Sequence, residues 1–393
     1  MTLATRIEAA TPADRDRALD GLRALAVIGV VIGHYLVMAL VPDAEGALRV
    51  RSPLTALPDF APLSWVFQLL ALFFLVGGYS AAQGLGTREY GRWIRRRLIR
   101  LTRPVVAVTA VLALTFPLLA AAGVPAGTLR TTTALVVQPL WFIAVYGVVT
   151  ALTPVVVALV RRLGAWAALP LVVTVAVVDA LRYGPWADGV PGWVGLVNVL
   201  PGWAFAYVLG VAWAQGRLPR RAAAAVAAVG AVLLVSLVLW FEYPASVVGV
   251  PGAGRVNSHP PSLLVVALAM AQCGLAVLGR DRLAAALRVP GRWAAVAMLN
   301  LVAMTVFCWH QIALVLLTVG TLPADLPGLH QLPDGLGWAG WRLVWLPVHC
   351  VVLAALVWGA RRFEAPWSGT LRRVGPAAVV AAIGFGGYAV AVL

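Results

Sequence analysis

Lysine is absent from this sequence of 393 residues, and acidic residues are scarce, because only 15 Asp and Glu accompany 30 basic residues, all of them Arg. Charged residues make up 11% of the chain, whereas they form about a quarter of a soluble domain. Hydrophobic residues reach 62%. This balance excludes an ordinary soluble domain and predicts an all-α integral membrane protein, a bundle of about 10–11 transmembrane helices.

Cysteine is also rare, with three residues in separate apolar runs, Cys273, Cys308 and Cys350. Their number is odd and no C-x-x-C spacing occurs, so the sequence predicts neither a disulfide framework nor a metal site. The H-E-x-x-H motif, the Walker loop and the G-x-S-x-G nucleophile elbow are missing as well. The sequence therefore encodes neither an ATPase nor an ordinary serine hydrolase.

Apolar runs long enough to cross a bilayer recur along the whole chain. Eleven of them are predicted as membrane spans, at 22–41, 62–85, 104–122, 138–160, 167–181, 194–213, 222–241, 262–279, 295–320, 341–360 and 374–393. The first 19 residues are polar and no cleavable signal peptide is evident, so the first span is expected to be retained.

The arginines are distributed unevenly between the two sides of these spans. The N-terminal tail, the start of the first span and the even-numbered loops hold 24 of the 30. By the positive-inside rule the N-terminus is cytoplasmic and the C-terminus is outside, in the cell membrane. The remaining six arginines are assigned to the other side: Arg49, Arg51, Arg130, Arg182, Arg255 and Arg342. Topology thus explains the net charge of +15 better than a nucleic-acid partner does.

The first span carries two ionisable residues, Arg23 and His34. On a helix, eleven steps of about 100° return almost to the starting direction, so both side chains leave one face, about 16 Å apart along the axis. An imidazole can act as a general base toward a hydroxyl, and a guanidinium suits phosphate recognition. We therefore predict a site at His34 and Arg23, with Asp20 orienting Arg23. A topological charge at Arg23 and a hydrogen bond between helices at His34 are the plainer interpretations.

A second group of arginines follows the second span. If the segment is helical, Arg92, Arg96, Arg100 and Arg103 share one face. Guanidinium groups gathered in this way attract polyanions such as nucleotide phosphates. An ordinary cytoplasmic loop, or contact with anionic lipid headgroups, is the plainer interpretation.

Polar residues also occur in or beside the later spans. His310 lies in the ninth span, Asn257 in the loop before the eighth, and Glu364 just after the tenth. A helix cap or a loop charge would also explain Glu364. His349, alone in the tenth span, is more simply explained by a hydrogen bond between helices.

These segments resemble the membrane acyltransferase-3 family. Its hallmark, Arg-x10-His in the first span, matches Arg23 and His34. Residues 73–79, Phe-Phe-Leu-Val-Gly-Gly-Tyr, resemble its second-span signature F-F-x-x-S-G-[FY], with Gly77 in place of Ser. Residues 97–100, Arg-Leu-Ile-Arg, match its R-x-x-R motif, and Glu364-Ala-Pro resembles a pattern found after the tenth span. Residues 139–142 and 257–262 look like features of an actinobacterial branch.

The resemblance implies an enzyme that moves an acyl group, commonly acetyl, from cytoplasmic acyl-CoA to a hydroxyl of an acceptor, often a sugar of the cell envelope. Neither a metal nor a tightly bound cofactor is expected, because acyl-CoA serves as a substrate. The implied catalytic residues are His34, Arg23 and Asp20. The implied acyl-CoA contacts are Arg96, Arg97, Arg100 and Arg103, and the implied acceptor contacts are Asn257, His310, Trp141 and Glu364.

The same resemblance divides the chain into a cytoplasmic tail at 1–21, a ten-span membrane domain at 22–366 and an additional span at 367–393. Two other functions fit the composition. A transporter or exporter of a glycosylated or anionic metabolite would also place His and Arg inside the membrane, but it would not depend on acyl-CoA. A non-catalytic scaffold in an envelope complex would tolerate the loss of His34.

Overall fold

The computed structural model describes residues 2–86, 89–185, 187–250 and 254–393. Within those ranges, eleven helical segments are long and apolar enough to cross a membrane. They are Arg17–Val37, Pro58–Leu85, Tyr90–Ala121, Ala126–Ala151, Thr153–Tyr183, Gly192–Ala214, Arg220–Trp240, Leu263–Ala286, Ala303–Ala324, Leu336–Phe363 and Gly369–Val392. The predicted number of spans is confirmed, and the protein is an all-α, multi-pass membrane protein.

Several of these segments contain more than one helix. Numbered in chain order, the α-helices are α1 Leu3–Ala10, α2 Arg17–Val37, α3 Ser64–Phe67, α4 Leu70–Leu85, α5 Tyr90–Ala121, α6 Ala126–Val137, α7 Trp141–Ala151, α8 Thr153–Leu163, α9 Leu169–Tyr183, α10 Val199–Ala214, α11 Arg220–Trp240, α12 Leu263–Ala286, α13 Pro290–Leu301, α14 Ala303–Thr321, α15 Leu336–Ala360 and α16 Gly369–Val392. Two strands, β1 Ala39–Pro42 and β2 Leu48–Arg51, form an antiparallel hairpin.

The boundaries of several predicted spans differ from the structure; the third begins at Tyr90 rather than at 104, and the fifth at Thr153 rather than at 167. The first ends at Val37 rather than at 41, because residues 39–42 pair with residues 48–51 as strands. The fourth lies at Ala126–Ala151 rather than at 138–160, because a new helix begins at Thr153 with a proline in its first turn. The ninth run, 295–320, is divided between α13 and α14.

The chain forms two compact units, and the first contains the described residues of 1–30, 60–94 and 145–301. Its helices α4 and α10 pack with their backbones in contact. A Cβ atom on Gly78 would lie 2.0 Å from the carbonyl oxygen of Tyr207, and one on Gly210 would lie 2.0 Å from that of Leu75. Only glycine permits this approach, which is the usual device for close helix packing in membranes.

A buried carboxylate in the same unit holds together α9 and the polar segment between α11 and α12. Asp179 accepts hydrogen bonds from the Asn198 amide at 2.9 Å, the Tyr243 hydroxyl at 2.9 Å and the Leu263 backbone N–H at 2.7 Å. The guanidinium of Arg255 lies 3.9 Å from the centre of the Tyr243 ring. These contacts give the segment a fixed conformation, since a buried carboxylate is stable only when its lone pairs are satisfied.

The second unit contains residues 31–59, 95–144 and 302–393. Its hydrophobic core is formed by Tyr35, Leu40, Leu135, Leu314, Val315, Leu317 and Leu329. The hairpin is attached to α6, because the Leu48 N–H donates to the Thr128 hydroxyl at 3.0 Å and the Thr131 hydroxyl donates to the Leu48 carbonyl at 2.8 Å. In α16, Phe385 meets Phe116 of α5 edge-on, with ring centroids 5.4 Å apart.

Candidate active site

Two histidines from different helices meet inside the second unit. Nδ1 of His34, in the last turn of α2, lies 3.2 Å from Nε2 of His310 in α14. Their ring centroids are 5.0 Å apart, with the planes tilted by 41°. His310 is 2% exposed, and His34 is half-buried. Ionisable side chains inside a membrane span are costly, so a pair of them is a candidate site of chemistry.

A hydrogen bond within α14 sets the proton arrangement of this pair. His310 Nδ1 lies 2.6 Å from the carbonyl oxygen of Phe307. Because a carbonyl oxygen only accepts, this nitrogen carries the hydrogen, and neutral His310 presents its lone pair at Nε2. That nitrogen then accepts from Nδ1–H of His34, which places the basic lone pair of a neutral His34 on Nε2. In this arrangement His34 can act as a base, and His310 can orient it.

Aromatic side chains hold the turn of α14 that carries His310. The Phe307 ring lies 5.3 Å from that of Phe142 and 5.8 Å from the imidazole of His310, centroid to centroid. Trp141 meets Phe142 edge-on at 6.4 Å. Trp141, an acceptor contact in the sequence interpretation, thus joins a group of rings that packs beside His310 and limits its rotation.

Glu364 caps the N-terminal end of α14. Its Oε2 accepts from the Thr305 backbone N–H at 3.0 Å and from the Thr305 hydroxyl at 2.7 Å. Thr305 lies in the first turn, where backbone N–H groups have no partner within the helix and the helix dipole favours negative charge. Burial raises the pKa of Glu364, while the bonds from Thr305 and the positive charge of Arg100 oppose that rise. Of the roles considered from sequence, the helix cap matches this geometry.

A buried arginine holds the C-terminal end of α2. Arg342 of α15 is 0% exposed. Its Nε donates to the Tyr35 carbonyl at 3.0 Å, its Nη2 to the Met38 carbonyl at 2.6 Å, and its Nη1 to the Gly328 carbonyl at 3.4 Å. The last carbonyls of a helix lack partners within it and carry the negative end of its dipole. Arg342 therefore satisfies these groups immediately after His34.

Arg342, which the sequence places on the outer side at the start of the tenth span, is buried inside the protein. The residue lies in the second turn of α15, and its guanidinium carbon is 4.0 Å from the centre of the Tyr35 ring. The apolar run was long enough to contain it, but a run by itself does not show whether an arginine near its end reaches the surface or turns inward.

The interhelical hydrogen bond expected of His349 is also wrong. Its ring stacks on Tyr35, with centroids 4.4 Å apart and planes 29° apart. Among the described residues, neither ring nitrogen of His349 has a hydrogen-bond partner.

Arg23 lies in the first unit, inside a polar group at the start of α2. Its Nη1 is 3.0 Å from Asp20 Oδ1, which is the i, i+3 ion pair that the spacing predicts. Arg23 also donates to Asn300 Oδ1 at 3.4 Å and to the Ser80 hydroxyl at 3.5 Å, while Asn300 donates to the Asp20 backbone carbonyl at 2.9 Å. These contacts fix the direction of the guanidinium.

A second arginine shares the carboxylate of Asp20. Arg15 donates from Nη2 to Oδ1 at 2.9 Å and from Nε to Oδ2, a bidentate arrangement. Asp20 is 3% exposed, whereas half of the Arg15 side chain is exposed. One carboxylate between two guanidiniums leaves this group positively charged, which suits an anionic ligand.

The arginines after the second span lie on a helix and not in a loop. α5 begins at Tyr90 and continues to Ala121, so the loop assignment is wrong and the predicted common face is present. Residues 92, 96, 100 and 103 follow one another at helical spacing along that face. Of the predicted phosphate contacts, two are exposed, Arg96 and Arg100, and two are half-buried, Arg97 and Arg103.

Asn257, a predicted acceptor contact, uses its amide within its own loop. Nδ2 donates to the carbonyls of Pro244 at 2.7 Å and Ser246 at 2.8 Å, and Oδ1 accepts from the Ser262 hydroxyl at 2.7 Å. The residue is 0% exposed. Both amide hydrogens are therefore occupied, and the geometry favours a role in shaping the loop.

The sequence analysis did not single out Ser80, Asn300 or Gln311, and it did not predict that Arg342 is buried. One signal was available for them. A polar side chain inside an apolar run is costly, and the rule that singled out His34 applies to Gln311 and Asn300 as well.

A comparison with protein families identifies the family to which the chain belongs. A family model described as an acyltransferase domain, that of acyltransferase-3, matches residues 16–361. The match covers α2 to α15, including His34, His310 and the arginines of α5. No curated protein and no solved structure matches the chain. The chain belongs to the acyltransferase-3 family, and it is a membrane O-acyltransferase.

Proposed function

We propose that this enzyme transfers an acetyl group from cytoplasmic acetyl-CoA to a hydroxyl of a carbohydrate acceptor on the outer side of the cell membrane. The 3.2 Å contact between His34 and His310 carries the proposal, because it supplies an oriented base within the region that the family model matches. The arginine distribution supports a cytoplasmic N-terminus. In that orientation the start of α2 faces the donor, and its C-terminal end faces the acceptor.

The long shape of acyl-CoA suits the spacing of Arg23 and His34 along α2. At helical spacing, the eleven residue steps from Arg23 to His34 correspond to about 16 Å along the axis. Acyl-CoA carries phosphates at one end and a thioester at the end of a long, thin arm. In this proposal Arg97 and Arg100 bind the phosphates, with Arg96 and Arg103 beside them on α5. Arg23 guides the arm toward His34.

The proton arrangement of the histidine pair defines the chemical step. Nε2 of His34 takes the proton of the acceptor hydroxyl while the oxygen attacks the thioester carbonyl carbon. The new C–O bond forms, the C–S bond breaks, and the departing CoA sulfur receives the proton from His34 and leaves as a thiol. His310 is a positioning residue in this step, since it holds His34 in the tautomer whose lone pair is on Nε2.

The test follows label from acetyl-CoA, labelled on the acetyl group, into crude envelope glycans added to membrane vesicles. We expect transfer by the wild type and a loss of about 10²- to 10⁴-fold for His34→Ala, the usual contribution of a general base. His330→Ala is the matched control, because His330 is also buried but bonds to Thr318 and Thr321 in the last turn of α14 and to Leu326 after it. It should retain transfer.

Three results would contradict parts of the proposal. Transfer by His34→Ala at the wild-type rate would exclude His34 as the base. An unchanged affinity for acetyl-CoA in Arg97→Ala and Arg100→Ala would exclude the donor site on α5. Glycan movement across the membrane without consumption of any acyl-CoA would favour the transporter.

A further inference from the structure

Two buried polar side chains beside the histidine pair carry atoms that have no hydrogen-bond partner among the described residues. Neither ring nitrogen of His349 has a partner there, and neither does Oε1 of Gln311. His349 is 1% exposed and Gln311 is 2% exposed. A buried polar group without a partner costs roughly 1–3 kcal/mol. Native proteins contain few such groups, so two in one place require an explanation.

Both side chains border the turn of α2 that carries His34. Gln311 directly follows His310 on α14, and its Nε2 lies 3.7 Å from the sulfur of Met38, one turn after His34. His349 comes from α15 and stacks on Tyr35, the residue next to His34. Oε1 of Gln311 and the His349 ring are therefore neighbours of the predicted base.

The types of these atoms limit what they can bind. Gln311 Oε1 only accepts a hydrogen bond, whereas a neutral imidazole donates from one nitrogen and accepts at the other. A carboxylate or phosphate would offer no hydrogen to Gln311. Arg342, whose guanidinium also packs on the Tyr35 ring, already donates to three backbone carbonyls. Hydroxyl groups both donate and accept, so they match both side chains.

We propose that Gln311 and His349 form a subsite for the acceptor and bind hydroxyl groups neighbouring the one that is acylated. This inference rests on the proposed acyl transfer at His34, and it requires an acceptor with several hydroxyls on adjacent carbons. One hydroxyl lies at His34 Nε2, and its neighbours donate to Gln311 Oε1 and pair with the His349 ring. Gln311 and His349 bind and orient the acceptor, and they move no proton in the reaction.

A binding role and a packing role predict opposite effects of His349→Phe. Phenylalanine keeps the stack on Tyr35 and removes two nitrogens that have no protein partner, so the variant should be at least as stable as the wild type. If His349 binds the acceptor, the same variant should nevertheless transfer poorly at low acceptor concentration. A packing role, which phenylalanine also fulfils, predicts unchanged acceptor dependence. Gln311→Met provides a second variant, because methionine has a similar length and can fill the space beside the Met38 sulfur.

The experiment measures transfer from labelled acetyl-CoA to crude envelope glycans as a function of glycan concentration, together with acetyl-CoA affinity and thermal unfolding in detergent. For His349→Phe and Gln311→Met we expect the half-saturating glycan concentration to rise by roughly tenfold or more. Acetyl-CoA affinity should be unchanged, and the unfolding temperature should not fall. His330→Phe is the matched control, because both of its nitrogens are hydrogen-bonded. It should lower the unfolding temperature and leave the half-saturating concentration unchanged.

The outcomes separate this subsite from the proposed function. If the wild type transfers acetyl groups and both variants keep its half-saturating glycan concentration, the subsite is wrong and the acyl transfer stands. If the wild type transfers no acetyl group to glycans, the proposed function fails, and the subsite fails with it. An unchanged half-saturating concentration in His349→Phe alone would assign His349 to packing against Tyr35.

Discussion

Replacing His310 with phenylalanine should slow acyl transfer without weakening acetyl-CoA binding. Phenylalanine keeps the ring packing against Phe307, which lies 5.8 Å away. It cannot accept the hydrogen bond from Nδ1 of His34, a contact of 3.2 Å in the wild type. Without that hydrogen bond, His34 is no longer held in the tautomer that carries its lone pair on Nε2.

The size of the effect follows from that single bond. A buried donor without an acceptor costs roughly 1–3 kcal/mol, and each 1.36 kcal/mol changes a rate about tenfold. We therefore expect kcat to fall about 5- to 150-fold, which is less than the loss of about 10²- to 10⁴-fold expected when the base itself is removed. His310→Gln should lose less activity than His310→Phe, because its amide oxygen can accept where Nε2 did.

Single-turnover transfer from labelled acetyl-CoA, with equilibrium binding measured in parallel, checks this reasoning. Wild-type rates in His310→Phe would refute the orienting role of His310. Equal losses in the glutamine and phenylalanine variants would show that accepting a hydrogen bond is not what His310 contributes. Weakened acetyl-CoA binding in both variants would locate the defect in the donor site instead.

Two further predictions concern stability, measured by thermal unfolding in detergent. Burial raises the pKa of Glu364 above its ordinary value of 4.5, so the folded protein holds this proton more tightly than the unfolded chain, and stability should fall as the pH rises through the interval just above 4.5. Glu364→Gln keeps an acceptor for Thr305 and should remove that dependence; an unchanged pH profile would contradict the assignment. Gly210→Ala places a Cβ 2.0 Å from the Leu75 carbonyl and should destabilise the protein by about 1–3 kcal/mol. The control Gly320→Ala, whose Cβ would meet nothing within 4 Å, should not destabilise the protein. Equal stability of the two variants would refute the close contact.

The membrane spans were predictable because a bilayer demands about 20 apolar residues in a row, and this requirement is local. The common face of the arginines in α5 was predictable for the same reason, since it depends only on helical spacing. The end of α2 was not. Residues 39–41 continue its apolar run, but they pair with residues 48–51 across a turn. The sequence of neither segment by itself predicts that the two pair.

The residues of the candidate site were likewise predictable one by one, but their contacts were not. His34 and His310 stand out in the sequence because ionisable residues inside spans are expensive, yet 276 positions separate them. No spacing rule connects residues so far apart. Which helices pack together depends on side-chain fit between distant segments, so tertiary structure alone brought His310 to His34 and turned Arg342 inward onto the end of α2. The sequence by itself determined which side chains are able to do chemistry, and the fold decided which of them act together.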